Sequence, residues 1–126
     1  AGETFRMREL RGRVVVLNFW TSTCGPCIEE MPNLVQLSRI LAERDDIELV
    51  TISTDRSWEE VHTVLPPNTP MRVLLDADRA VVRGQFGTRQ YPETWIIDPR
   101  GAIRLRIDGA RDWSSAVALD LIESYL

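Results

Sequence analysis

The chain carries two cysteines, three residues apart, as Cys24-Gly25-Pro26-Cys27, just after the apolar run Val14-Val15-Val16-Leu17-Asn18-Phe19-Trp20. That run reads as a central strand covered on both faces, as parallel strands tend to be. The sequence after Pro26 reads as a helix to about Glu43, with Met31, Leu34, Val35, Leu37, Ile40 and Leu41 on its apolar side. Pro32 falls inside that helix and is expected to kink it. The cysteine pair therefore falls on a strand-to-helix turn, where unpaired helix amides and the helix dipole favour a thiolate. A dithiol so placed points to redox exchange.

Other uses of two cysteines fit less well. A structural disulfide here would close only a four-residue loop and would constrain little of the unfolded chain. A zinc site needs about four ligands, but there is no second cysteine pair and the lone histidine is His62. No metal and no organic cofactor is expected. Two inert buried thiols would not explain Gly25-Pro26, which is turn and helix-start chemistry.

The rest of the chain continues the same layout. Ile47–Ser53 reads as the next strand, completing a βαβ unit with parallel strands. Ser57-Trp58-Glu59-Glu60 is a capping box opening a short helix to about Val64. That helix carries His62, read as an ordinary solvated residue. Arg72–Leu75 reads as a short strand, and Asp78 as the cap of a helix through about Gln85. Thr94–Asp98, the turn Pro99-Arg100-Gly101 and Ile103–Ile107 read as a β-hairpin. Asp112 reads as the cap of a last amphipathic helix carrying Val117, Leu121, Ile122 and Leu126. Residues 3–10 alternate weakly and suggest an edge strand or arm. The pattern predicts one domain over 1–126, an α/β fold with helices on both faces of a central mixed sheet. The length of 126 residues suffices for a core without staples. A net charge of −4 disfavours a nucleic-acid or anionic-membrane partner. All 15 basic residues are arginine, which we read as a compositional bias of the source.

These residues resemble a known family. Val15–Trp20 followed by Cys24-Gly25-Pro26-Cys27 and then Glu29-Glu30-Met31-Pro32 is similar to the thioredoxin superfamily. More narrowly, it is similar to the TlpA/ResA-like thiol–disulfide oxidoreductases. Tyr91-Pro92-Glu93-Thr94-Trp95-Ile96-Ile97-Asp98-Pro99-Arg100-Gly101 resembles the family's cis-proline loop and following hairpin. The likeness covers the chain from about residue 3, with the family's N-terminal hairpin cut short and residues 53–78 resembling its central insertion. It implies a thioredoxin-like fold, a cis Pro92 facing the cysteines, and a Tyr91 backbone free to pair with an extended substrate. Thr23, Gly25, Pro26, Tyr91 and Pro92 would then form the substrate-binding rim.

Two positions shape the chemistry that the likeness implies. Asn18 stands where cytosolic thioredoxins carry a buried aspartate, and an amide cannot accept a proton. Glu30, one turn beyond Cys27, is the candidate proton-exchanging group alongside Cys24 and Cys27. Otherwise Glu29 and Glu30 merely complement the helix dipole. Thr23 departs from the tryptophan usual before the first cysteine. Trp20 reads as structural first and a contact surface second.

The function these readings imply is thiol–disulfide exchange with protein substrates. Cys24 attacks and Cys27 resolves. The family likeness implies a monomer outside the bacterial cytoplasm that reduces exported protein thiols, as in cytochrome c maturation, and is itself reduced by a membrane electron donor. No stretch resembles a signal peptide or membrane span; Ala1-Gly2-Glu3 looks like the start of a mature or trimmed chain, with any export signal or anchor upstream. Two alternatives are a peroxiredoxin-like peroxidase and a copper-handling module on the same fold. The first would want a proline ahead of a solitary cysteine. The second would want a nearby histidine or a methionine cluster, whereas the methionines lie at 7, 31 and 71.

Overall fold

The computed structural model describes residues 7–126. Its centre is a five-stranded sheet in the order β3-β2-β1-β4-β5, formed by β1 (Val14–Trp20), β2 (Ile47–Ser53), β3 (Arg72–Leu75), β4 (Glu93–Ile97) and β5 (Ile103–Asp108). β1, β2 and β3 run parallel, while β4 runs antiparallel to β1 and pairs with β5 as a hairpin. The mixed α/β sheet expected from the sequence is the one observed. All seven residues of β1 are buried, as befits the central strand.

The alternation of β1 divides the core into two layers. Val14, Val16 and Trp20 face α1 (Gly25–Leu41), the short α2 (Trp58–Val61) and α3 (Ala116–Glu123), packing with Met31, Leu34, Leu37, Val61, Trp113 and Ile122. Val15, Leu17 and Phe19 face the other side, against Leu10, Val81 and Val82 of a π-helical segment at Ala80–Gln85, and Phe86 just after it. Helical structure thus lies on both faces, as expected. Pro32 sits within α1, whose assignment continues unbroken to Leu41.

Four local expectations are corrected. Met7–Leu10 forms a 3-10 helix where an arm or edge strand was expected; the rest of that expectation lies outside the described residues. The segment expected as an α-helix capped by Asp78 is π-helical. Asp78 accepts from the amide of Ala80, while Asp76 accepts from those of Val81 and Val82, and Arg79 precedes the segment in the left-handed region at φ 61°. Bonds such as Gly84 N–H to Arg79 O and Phe86 N–H to Val81 O give it the wider π spacing. Helix α2 ends at Val61, short of Val64; its cap is Ser57, as expected. The cap of α3 is Ser115, whose hydroxyl accepts from Ala118 N, whereas Asp112 closes a turn with Ser114. Leu121 and Ile122 face the core as expected, joined by Ala118 and Tyr125, whereas Val117 and Leu126 are exposed.

Candidate active site

Cys24 is the N-cap of α1, in extended backbone, and Cys27 lies in the first turn; the two are joined as a disulfide. Gly25 and Pro26 open the helix, where proline's missing amide leaves no bond unmade. Cys24 Sγ accepts from the Cys27 backbone amide at 3.2 Å. The helix start therefore aims an N–H at this sulfur, an arrangement that stabilises a thiolate once the pair is reduced. The two sulfurs differ sharply in access. Cys24 is part-exposed and flanked by exposed Thr23, Gly25 and Pro26, while Cys27 is fully buried.

The Tyr91–Pro92 peptide is cis, as the resemblance implied. Cys24 Sγ lies 3.5 Å from the Tyr91 carbonyl oxygen, so the loop before β4 and the helix start meet at this sulfur. Pro92 is buried and Tyr91 half-buried. Beyond Pro92, Glu93 accepts a hydrogen bond from Thr88, tying the two ends of the loop that carries Tyr91. Burial raises the Glu93 pKa, and Asp108 across the hairpin adds to the rise.

Glu30 is buried, on the same side of α1 as Cys27, three residues on. One carboxylate oxygen accepts from Asn18 Nδ2 at 3.0 Å; the other accepts from the Arg111 amide at 2.9 Å and Trp113 Nε1 at 3.0 Å. Asn18 Nδ2 also donates to Thr94 Oγ1 at 2.9 Å. Asn18 thus serves as a donor that anchors Glu30. Glu29, by contrast, is exposed. Desolvation pushes the Glu30 pKa above its ordinary value, and the three hydrogen bonds offset part of that rise. Its carboxylate bonds go to Asn18, Arg111 and Trp113, and none goes to a sulfur.

A raised pKa has a signed consequence for stability. Below the ordinary value of 4.5 the group is protonated both folded and unfolded, and its contribution is fully present. As pH rises through the higher folded value, that contribution is lost, because ionising the buried carboxyl costs desolvation. The stability of wild type relative to Glu30→Gln should therefore decline as pH climbs above 4.5. Urea unfolding of both proteins across that range measures it, and parallel curves would contradict the assignment.

Sequence reasoning singled out Glu30 but missed Asn18, Arg111 and Trp113 as its partners, and Thr94 as the second acceptor for Asn18. It also missed Asp55, which binds Thr21 and Ser22 just ahead of Cys24. No local signal could have supplied Arg111 and Trp113, which lie 81 and 83 residues from Glu30. Trp20 is fully buried and offers no contact surface, so its expected second role is withdrawn. His62 is exposed and stacks on Trp58, as an ordinary surface residue would.

Among curated proteins, the chain is 30% identical to the thiol-disulfide oxidoreductase ResA of Bacillus subtilis over 105 residues, covering 81% of this chain and 56% of that protein. It is 31% identical to the thiol:disulfide interchange protein HelX of Rhodobacter capsulatus over 99 residues, covering 78% and 53%. The solved structure of the exposed lipoprotein thioredoxin Etrx1 from Streptococcus pneumoniae superposes with a TM-score of 0.80, at 22% identity, over 98% of this chain and 93% of that one. That likeness shows the thioredoxin-like fold. The chain spans little more than half the length of the ResA and HelX proteins it matches. A family model described as the AhpC/TSA family matches residues 1–106. With a cysteine pair at a helix start, a cis-proline loop against it and a thioredoxin-like sheet beneath, this chain belongs to the AhpC/TSA family.

Proposed function

We propose that the protein is a thiol–disulfide oxidoreductase for protein substrates, with Cys24 as the attacking thiol and Cys27 as the resolving one. The observation that carries the reading is the unequal pair: a part-exposed Cys24 at the N-cap of α1, receiving the Cys27 amide, beside a fully buried Cys27. In the reducing direction, the Cys24 thiolate attacks one sulfur of a substrate disulfide. The substrate's S–S bond breaks, its second sulfur leaves as a thiolate and takes up a proton. Cys27 then gives up its proton and attacks Cys24 Sγ. The mixed disulfide between Cys24 and the substrate breaks as the Cys24–Cys27 disulfide forms; the substrate's first sulfur leaves as a thiolate and takes up the proton Cys27 released, so the substrate departs as a dithiol, two electrons richer. The Tyr91 carbonyl beside Cys24 is the acceptor for an extended substrate backbone, with Thr23, Gly25, Pro26 and Pro92 around it.

Glu30 is the proton-exchanging group for the buried thiol in this reading. Its support is its burial on the Cys27 side of α1 and a carboxyl held toward its protonated form. Removing its charge with Glu30→Gln should lower the apparent pKa of Cys24. Superimposable thiolate titrations would remove Glu30 from the reaction.

Relatives named thiol-disulfide oxidoreductase and thiol:disulfide interchange protein support the activity, and a structural neighbour named an exposed lipoprotein supports a site of action outside the cytoplasm. There the protein would act as a reductase of exported protein thiols, recharged by a membrane electron donor. Among the described residues no helix is long and apolar enough to cross a membrane. Equilibration with glutathione tests the reducing direction. No histidine lies in the dithiol turn to stabilise the Cys24 thiolate strongly. A potential nearer roughly −270 mV than roughly −120 mV is expected, and a value above about −180 mV would overturn the reductase reading.

A further inference from the structure

Thr21 and Ser22, the first two of the three residues between β1 and Cys24, are held by a buried carboxylate that the exchange chemistry does not use. Asp55, two residues past the end of β2, is 3% exposed. Its Oδ1 accepts from Thr21 Oγ1 at 3.0 Å, Ser22 N at 3.1 Å and Ser22 Oγ at 2.7 Å. Its Oδ2 accepts from Ser22 N at 3.1 Å and Ser53 Oγ at 2.6 Å. Its own amide donates to Ser53 Oγ, and the neighbouring Thr54 amide donates to Trp20 O, so the carboxylate is itself fixed from both strands. The Cys24 amide in turn donates to Thr21 O at 3.2 Å. A continuous chain of hydrogen bonds thus runs from the end of β2 to the backbone of Cys24.

We infer that Asp55 is a positioning residue for Cys24: by clamping Thr21 and Ser22 it holds that cysteine at the N-cap of α1, where its sulfur meets the Cys27 amide. Nothing in folding the loop alone calls for a full charge, since an amide or hydroxyl could close a turn of this size. Five hydrogen-bond contacts converging on two oxygens are what an ionised carboxylate, an acceptor only, satisfies.

Two opposite effects on Cys24 follow, and their balance can be measured. As a negative charge, Asp55 disfavours a thiolate nearby; as a clamp, it delivers the sulfur to a helix start that favours one. The clamp outweighs the charge, because the Cys27 amide contacts the sulfur directly whereas the carboxylate acts from beyond the Thr21–Thr23 segment. Cys27, the other half of the pair, Glu30 one turn further along α1, and Tyr91, whose carbonyl lies at the Cys24 sulfur, are all left in place by the variants below.

The inference rests on Cys24 being the attacking thiol. The test is thiolate absorbance against pH for the reduced wild type, Asp55→Asn, and the double variant Thr21→Val with Ser22→Ala, which keeps the charge but removes two donors. Asp55→Asn should raise the apparent pKa of Cys24 by about half to one unit, roughly three- to tenfold in its dissociation constant. The double variant should shift it the same way. An unchanged pKa in Asp55→Asn would make Asp55 a purely structural group, and a lowered one would make it only a through-space charge; either overturns the inference. If Asp55→Asn does not fold, an unchanged pKa in the double variant overturns it. Alkylation of the wild type, mapped by mass spectrometry, separates the two levels: first labelling at Cys27 removes the functional reading, whereas first labelling at Cys24 with unshifted titrations removes only the role of Asp55.

Discussion

Replacing Cys24 with serine is expected to reduce disulfide exchange with a protein substrate by more than about 10³-fold, the scale on which an enzyme suffers when its nucleophile is removed. A serine hydroxyl at the N-cap would still accept the Cys27 amide and preserve the helix start, so the loss would be chemical rather than structural. The remaining thiol, Cys27, is fully buried and cannot reach a folded partner. Cys27→Ser should behave differently. Cys24 would still attack, but nothing would resolve the product, so a mixed disulfide should accumulate and turnover should stop. Non-reducing electrophoresis of both variants after mixing with a disulfide-containing protein reads the contrast. Equal trapping by the two would mean that the cysteines are interchangeable, which the geometry forbids.

The second large effect is on stability. Trp113 is 1% exposed, packs in the same layer as Trp20, Leu34 and Leu37, and donates to Glu30. Trp113→Ala should cost about 3–5 kcal/mol from lost packing and the cavity left behind. That is a large share of the roughly 5–15 kcal/mol by which domains are stable. Trp113→Phe keeps most of the ring but leaves a carboxylate oxygen one donor short, and should cost about 1–3 kcal/mol. Urea denaturation at pH 7 measures both. A loss below about 1 kcal/mol for Trp113→Ala would show that the layer re-forms without the indole. The same variant should raise the Glu30 pKa further, since it removes a hydrogen bond that lowers it.

The layout of this fold is legible in the chain because its strands are short apolar runs with clear punctuation. β2 and β3 fall on the residues expected, and α1 ends within two residues of its expected limit. Cys24-Gly25-Pro26-Cys27 declares itself through chemistry confined to one turn, and Tyr91-Pro92 through its likeness to a family loop. What escaped was decided by partners far along the chain or by competition among nearby caps. Asp76 and Asp78 both precede the segment after β3; Asp78 takes the amide of Ala80, and Asp76 reaches amides five and six residues ahead. Asp112 and Ser115 both precede α3, and Ser115 takes the cap while Val117, two residues on, faces solvent. The setting of Glu30 was hidden more deeply. Asn18, Thr94, Arg111 and Trp113 come from a strand, a second strand and a loop, and only the sheet order brings them together. Asp55 was invisible for the same reason: it reads as one more polar residue after a strand until the fold sets it against Thr21 and Ser22.

The central claim is that the two cysteines have unequal roles fixed by the start of α1. The most direct measurement is the order of alkylation in the fully reduced wild-type protein, with a substoichiometric thiol reagent and peptide mapping of the labelled site. The account predicts that Cys24 is labelled first and that its labelling follows a pKa below the ordinary value for cysteine, about 8.5. Labelling of Cys27 ahead of Cys24, or equal labelling of both, would contradict it.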